Sequence, residues 1–186
     1  MKKNISLKLF FFLFIFVMFM TQPLAETPSD PENTIFMDIK HGRVVMELRP
    51  DLAPNHVARI KELVRKDFYN GIVFHRVIGG FMAQTGDPTG TGSGGSGKKI
   101  KAEFSDEPHV RGTLSMARSQ NKDSADSQFF IVYARARHLD GKYTVWGKVT
   151  EGMSAVAKLK RGDGPSGIVI DPDKIIKMQV AADVKK

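Results

Sequence analysis

Alternation of apolar and polar positions dominates this chain. Ile35, Met37 and Ile39 alternate with Asp38 and Lys40, and after His41-Gly42 the alternation resumes at Val44, Met46 and Leu48. Two period-two runs across a short polar break predict a β-hairpin. Pro54 then opens a helix, at a position where its missing N–H costs nothing. Val57, Ile60, Leu63 and Val64 form an apolar stripe at helical spacing, Arg59, Lys61, Arg65 and Lys66 lie off it, and Asp67 ends the helix. Beyond Phe68-Tyr69-Asn70-Gly71 the pattern returns to short β-rich runs at 73–78, 81–84, 113–117, 129–133 and 144–149. A second short helix is predicted over 152–160, and a closing strand over 174–181, where Ile176, Met178 and Val180 alternate. Many short strands, two brief helices and no strand–helix–strand rhythm point to an antiparallel barrel or sandwich. Residues 86–97 read as a low-complexity loop and 162–173 as a turn-rich connection.

The N-terminus follows a different rule. Lys2, Lys3 and Lys8 precede a continuous apolar run of 12 residues at 9–20, and Thr21-Gln22-Pro23-Leu24-Ala25 ends on a small side chain. A charged start, a short apolar stretch and a small-residue end read as a signal peptide over 1–25. The run falls short of the roughly 20 residues that a membrane-spanning helix needs. The expectation is export, to a periplasm most simply and with secretion beyond it as the alternative, with no stable membrane anchor. Residues 26–33, with Pro28 and Pro31, read as a flexible lead-in to one domain over 34–186.

Composition refines this picture. An apolar fraction of 41% is that of an ordinary globular protein, and the 161 residues after Ala25 are enough to bury a core. The chain has no cysteine, so it carries neither disulfide nor lipidated thiol. The formal charge of +8 falls to +5 without the three leader lysines, and the remaining basic residues are scattered among acids. That reads as a solvated surface, with no nucleic-acid partner expected.

Several chemistries find no foothold. Gly92-Ser93-Gly94-Gly95-Ser96-Gly97-Lys98 matches the start of a phosphate-binding loop, but Lys99 stands where a magnesium-binding hydroxyl is required. The glycines also lead into no clear helix that would cradle phosphate. His41, His56, His75, His109 and His138 lack metal-ligand spacing, and no serine sits in a nucleophile turn. Successive strand residues face opposite ways, so His75 is expected behind its neighbour Arg76 as a structural histidine.

What stands out is Phe74-His75-Arg76-Val77-Ile78-Gly79-Gly80-Phe81-Met82-Ala83-Gln84, one arginine among apolar residues with no carboxylate, cysteine or serine beside it. Acid–base or nucleophilic catalysis would need a partner for the activated group. An arginine above an apolar patch suits a reaction that breaks no bond and needs one aimed donor. Gly112-Thr113-Leu114-Ser115-Met116-Ala117-Arg118, Ser127-Gln128-Phe129-Phe130-Ile131 and Leu139-Asp140-Gly141-Lys142-Tyr143 add a small-residue edge and more aromatics.

These segments closely resemble the cyclophilin family of peptidyl-prolyl cis–trans isomerases, over essentially all of the chain from Ile35 to about Val180. The resemblance implies a mainly β fold, a closed antiparallel eight-stranded β-barrel capped by two α-helices. It also implies an enzyme that turns X–Pro bonds in folding proteins without cofactor, metal or covalent intermediate. It makes Arg76 the catalytic donor. Phe81, Met82, Phe130 and Leu139 would line the proline pocket. Gln84 and Gln128 would bond substrate backbone, and Ala117, Arg118 and Ser119 would form an edge whose main chain aligns the peptide.

Departures from the family pattern fall at the rim. His138 stands where many members carry Trp, which implies weak cyclosporin binding. Tyr143 replaces a common His and keeps the lip aromatic, Arg118 replaces a common Asn, and Thr85 a usual Gly. The expected partners are proline-containing polypeptides and unfolded exported proteins, met by a monomer. A proline-peptide-binding or chaperone module, and a basic protein that binds an anionic polymer, are the competing readings.

Overall fold

Ile35, Met37 and Ile39 on β1 (Thr34–Ile39) and Val44, Met46 and Leu48 on β2 (Gly42–Leu48) all point into the same buried core. The two strands pair antiparallel from Thr34↔Glu47 to Ile39↔Gly42, the hairpin that the alternation predicts. This computed structural model describes residues 30–185, so the signal-peptide reading and the first half of the lead-in, 26–29, lie outside the described residues. Six further strands follow: β3 (Arg76–Ile78), β4 (Met82–Thr85), β5 (Thr113–Met116), β6 (Phe129–Val132), β7 (Val145–Glu151) and β8 (Ile175–Val180). They form one antiparallel sheet in the order β3-β4-β6-β5-β7-β2-β1-β8.

The sheet curls but its ladder does not close into the complete ring that was expected. Its edges are β3 and β8, and between them run only isolated bridges, Val73↔Lys174 and Arg76↔Ile168. The strand expected over 73–78 is therefore shorter. Residues 73–75 bond the returning chain, with Phe74 N–H donating to Asp173 O at 2.8 Å and Val169 N–H to His75 O at 3.0 Å. Thr85 also ties down this stretch, its hydroxyl donating to Val73 O at 2.9 Å.

Helix α1 (Pro54–Arg65) buries Val57, Ile60, Leu63 and Val64 against the sheet, the stripe seen in the sequence. Its first residue is Pro54, and the preceding Ala53 offers no side-chain cap. Glu103 takes over, accepting Asn55 N–H at 3.1 Å and His56 N–H at 3.0 Å. At the far end Asp67 adopts φ 54°, a left-handed conformation that Asp tolerates better than most residues, and Phe68 N–H returns to Leu63 O at 3.0 Å. The second helix, α2 (Met153–Val156), is shorter than predicted. Leu159 N–H bonds Val156 O in a tighter turn and Lys160 N–H is captured by the Asp173 carboxylate at 2.8 Å, which ends the spiral.

The loop over 86–97 is folded around two carboxylates. Asp87 accepts Thr89 N–H, the Thr89 hydroxyl and Gly92 N–H at 2.6–2.8 Å. Asp126 accepts Ser96 N–H at 2.8 Å, Gly97 N–H at 2.9 Å and the Ser96 hydroxyl. Gly86 must be glycine because its φ is +89° and an added Cβ would lie 2.3 Å from Ser127 O.

Candidate active site

Strand register decides which side chains meet. Arg76 pairs with Gln84, Gln84 with Phe130, and Phe130 with Ser115, so these four form one row across β3, β4, β6 and β5. Residues opposite one another share a face. The alternate positions Val77, Ala83, Ile131 and Leu114 belong to the main core on the other face. A second, separate cluster sits on the row's own side, where Met82, Phe130, Val132, Ala136 and Leu139 are buried and Phe81, Ala117 and Tyr143 pack around them.

Above this cluster opens a cleft of about 270 Å³. Arg76, Phe81, Met82, Gln84 and Phe130 line one part of it; Ala117, Arg118, His138, Leu139 and Tyr143 line the remainder. Ser119 and Gln128 line an adjoining cavity of about 450 Å³ that shares Gln84, Ala117 and Arg118 with the cleft. All twelve residues singled out from the sequence thus line two connected spaces.

Arg76 is anchored at two points. Its Nε donates to Ser166 O at 2.9 Å and its Nη1 to Gln84 Oε1 at 3.3 Å and, at 4.0 Å, to Met82 Sδ, while Nη2 makes no hydrogen bond among the described residues. The chain of contacts continues, as Gln84 Nε2 donates to Gln128 Oε1 at 2.9 Å and Gln128 Nε2 to the carbonyls of Gly92 and Gly94 at 3.0 and 2.8 Å. The guanidinium is therefore held with one edge free above the apolar floor. A planar fork fixed at two points is a directional donor in a way that a lysine ammonium is not.

The aromatic walls hold one another. Phe130 meets Tyr143 edge-on at 6.0 Å, and Phe81 lies 5.4 Å from the ring of the exposed His138. Arg118 stacks over Tyr143 at 4.4 Å and donates to Ser119 O at 2.8 Å and Lys142 O at 3.0 Å, fastening two loops across the rim. Along the small-residue edge, Ala117 N–H bonds Gln128 O and Ser119 N–H bonds Ser124 Oγ, both at 2.9 Å. The Ala117 carbonyl and both backbone groups of Arg118 make no hydrogen bond among the described residues, and both residues line the cleft.

Behind Phe130 lies a polar network that the sequence reading missed. His109, fully buried, stacks on Phe130 at 6.3 Å. Its Nδ1 meets Asp140 Oδ1 at 3.1 Å and its Nε2 meets Ser115 Oγ at 2.9 Å. The Ser–His–Asp order is that of a hydrolase triad, but Ser115 is fully buried and donates to Thr144 O at 3.1 Å. It presents no nucleophile to solvent and acts as a brace for the floor. Arg135 beside Asp140 holds that carboxyl well below the usual range.

His75 does lie behind Arg76, buried, with neither ring nitrogen bonded among the described residues. Burial pushes both His75 and His109 below the ordinary imidazole value of 6.5, against the pull of Asp87 and Asp140 respectively. The folded state therefore binds these protons more weakly than the unfolded chain does. Their contribution to stability is fully present above about pH 6.5 and is lost as pH falls toward the lower folded values. The urea midpoint is expected to fall between pH 7 and pH 5, and to fall less in a His75→Phe variant. A midpoint flat across that window would contradict the assignment.

Residues 34–180 match the family model described as cyclophilin type peptidyl-prolyl cis-trans isomerase/CLD. A probable peptidyl-prolyl cis-trans isomerase of Brucella suis is 55% identical over 170 residues, covering 84% of this chain and 87% of that protein. Peptidyl-prolyl cis-trans isomerase B of Bacillus subtilis is 46% identical over 124 residues, 66% of this chain and 86% of that protein. Among solved structures, a cyclophilin from Hirschia baltica superposes with a TM-score of 0.74 at 29% identity, over 84% of this chain and 76% of that one. A Cryptosporidium parvum cyclophilin type peptidyl-prolyl cis-trans isomerase, crystallised in the presence of the dipeptide Ala-Pro, gives 0.72 at 29% identity, over 79% and 98%.

Proposed function

This chain belongs to the cyclophilin-type peptidyl-prolyl cis–trans isomerases, and we propose that it accelerates X–Pro rotation in exported proteins as they fold, with Arg76 as the donor to the twisted amide. The observation that carries the mechanism is the in-register row Arg76, Gln84, Phe130 above the second apolar cluster. The Ala-Pro dipeptide used with the Cryptosporidium relative is in keeping with a proline ring as the occupant of the cleft.

A peptide bond is planar because its nitrogen lone pair is delocalised, and rotation costs about 18–20 kcal/mol. Halfway through rotation the lone pair is localised on the prolyl nitrogen, which becomes a hydrogen-bond acceptor. The unpaired edge of the Arg76 guanidinium supplies a donor to that state alone, which is differential binding of the transition state. Phe81, Met82, Phe130 and Leu139 hold the proline ring still, and Gln84, Gln128 and the 117–119 edge hold the flanking backbone while the acyl side turns.

Spontaneous isomerisation takes tens to hundreds of seconds. Reaching ordinary turnover, about 1–1,000 per second, needs on the order of 4–7 kcal/mol. One charge-assisted hydrogen bond contributes roughly 1.5–3 kcal/mol. Burial of the amide against the apolar floor and immobilisation of the peptide supply the remainder. Every step is rotation, so no proton or bond is transferred.

Residues 1–25 are proposed as the export signal. Expression of the full chain in a diderm bacterium, followed by fractionation and intact mass, tests this. The mature mass should begin at Glu26 in the periplasmic fraction, and that fraction should speed the proline-limited refolding phase of an exported client. Uncleaved protein confined to the cytoplasm would overturn the export reading.

The rim departure at His138 carries a second expectation. A histidine presents less apolar face than an indole, so cyclosporin is expected to inhibit weakly while peptide turnover is retained. Nanomolar inhibition in a peptide assay would contradict this.

A further inference from the structure

The two acids that line the groove between α1 and residues 98–103, Glu62 and Glu103, are engaged, and the lysines beside them are not. Glu103 is occupied by the first turn of α1, accepting Asn55 Nδ2 at 2.7 Å and facing His56 Nδ1 at 2.6 Å besides the two backbone donors. Glu62 lies between Arg59 and Lys66, 2.7 Å from each. Asp123 is taken by Ala102 N–H at 2.9 Å. Lys98, Lys99 and Lys101 are exposed and form no ion pair among the described residues.

These lysines line a groove of about 490 Å³ between α1 and the 98–103 segment. At its base Arg59, with a side chain only 10% exposed, has a buried Nε without a partner among the described residues. Lys99 also lines the cavity that holds Ser119 and Gln128, and that cavity in turn shares Arg118 with the proline cleft. Shared lining residues therefore connect cleft, cavity and groove into one track with Arg118, Lys99, Lys98 and Lys101 along it.

We propose that this track selects clients by binding an acidic stretch of polypeptide on one side of the isomerised proline. The inference rests on the isomerase reading and adds a substrate class to it. Uncompensated cations at the rim of a cleft raise the local concentration of an anionic partner and speed its arrival, in a manner that salt suppresses. An extended acidic segment fits because these cations line adjoining spaces that lead from the cleft to the groove.

The test uses three peptides with the same central X–Pro pair, one neutral, one with a run of glutamates before the pair and one with the run after it. The wild-type chain is expected to favour one of the two glutamate peptides about five- to tenfold in kcat/KM at low salt, with the advantage fading at high salt. Lys98→Gln/Lys101→Gln should abolish most of that preference while keeping turnover of the neutral peptide. Lys158→Gln/Lys177→Gln, which removes equal charge elsewhere, should keep the preference.

Equal rates on all three peptides would overturn the proposal, as would loss of the preference in both double variants. So would stoichiometric displacement of the acidic peptide by a mixed-sequence oligonucleotide, which would assign the track to nucleic acid. Loss of turnover on the neutral peptide by the wild type would instead strike at the isomerase reading.

Discussion

Arg76→Ala is expected to lower kcat/KM for a short X–Pro peptide by about 10²-fold while leaving the melting temperature nearly unchanged. A positioned charge-assisted bond made only in the transition state contributes roughly 1.5–3 kcal/mol, and removal of a comparable donor elsewhere costs about 10²–10³ in rate. Stability is spared because Arg76 lies on the cleft side of the sheet, half-buried, while Val77 beside it fills the core. Its fixed contacts are to Ser166 O and Gln84 Oε1. Arg76→Lys keeps the charge but cannot satisfy both anchors and still present a donor, so it should regain less than about tenfold. Protease-coupled or direct cis-to-trans kinetics measure both variants. Wild-type rates from the alanine variant would remove Arg76 from the mechanism.

Phe130→Ala carries the largest expected effect on the fold and the site together. Phe130 is 5% exposed, edge-on to Tyr143 and stacked on His109. Truncating a buried phenylalanine costs about 3–5 kcal/mol, which for a domain of this size lowers the melting temperature by on the order of 10 °C. The same cavity removes the floor proposed for the proline ring, so KM should rise and kcat fall. Phe130→Leu separates the two losses: it restores much of the buried volume but not the flat surface, so stability should recover more than turnover. Calorimetry beside peptide kinetics reads both. An alanine variant that is destabilised but turns over normally would place the proline pocket elsewhere.

Much of this was legible because strand alternation is local information. Ile35, Met37 and Ile39 declare their buried face without knowledge of any partner, and the stripe on α1 does the same. The residues that line the cleft stood in the sequence as motifs, but their geometry depends on register between strands far apart in sequence. Nothing near Arg76 indicates that its Nε would be held by Ser166, 90 residues later. The brace formed by His109, Asp140 and Ser115 was equally hidden, since each residue looks ordinary in its own segment; the one available signal was a histidine placed six residues before a serine whose neighbours are apolar.

Where local reading failed, a distant polar group had decided the outcome. The glycine-rich loop over 86–97 looked free by composition, but Asp87 and Asp126 gather its amides. The second helix looked longer by pattern, but Asp173 competes for the N–H of Lys160. The complete ring expected of the sheet is interrupted where 73–75 bond a turn-rich connection in place of a strand.

Alternation along β3, β4 and β6 also sets what lengths this protein can tolerate. Arg76, Gln84 and Phe130 sit one position from Val77, Ala83 and Ile131, and only strand register keeps the two sets on opposite faces. Deleting one residue within β4 would turn Ala83 toward the client and drive the Gln84 amide into the hydrocarbon interior. Insertions and deletions are thus confined to the loops between strands. Descendants of this gene can lengthen, shorten or recharge the rim, while the spacing inside these three strands stays fixed.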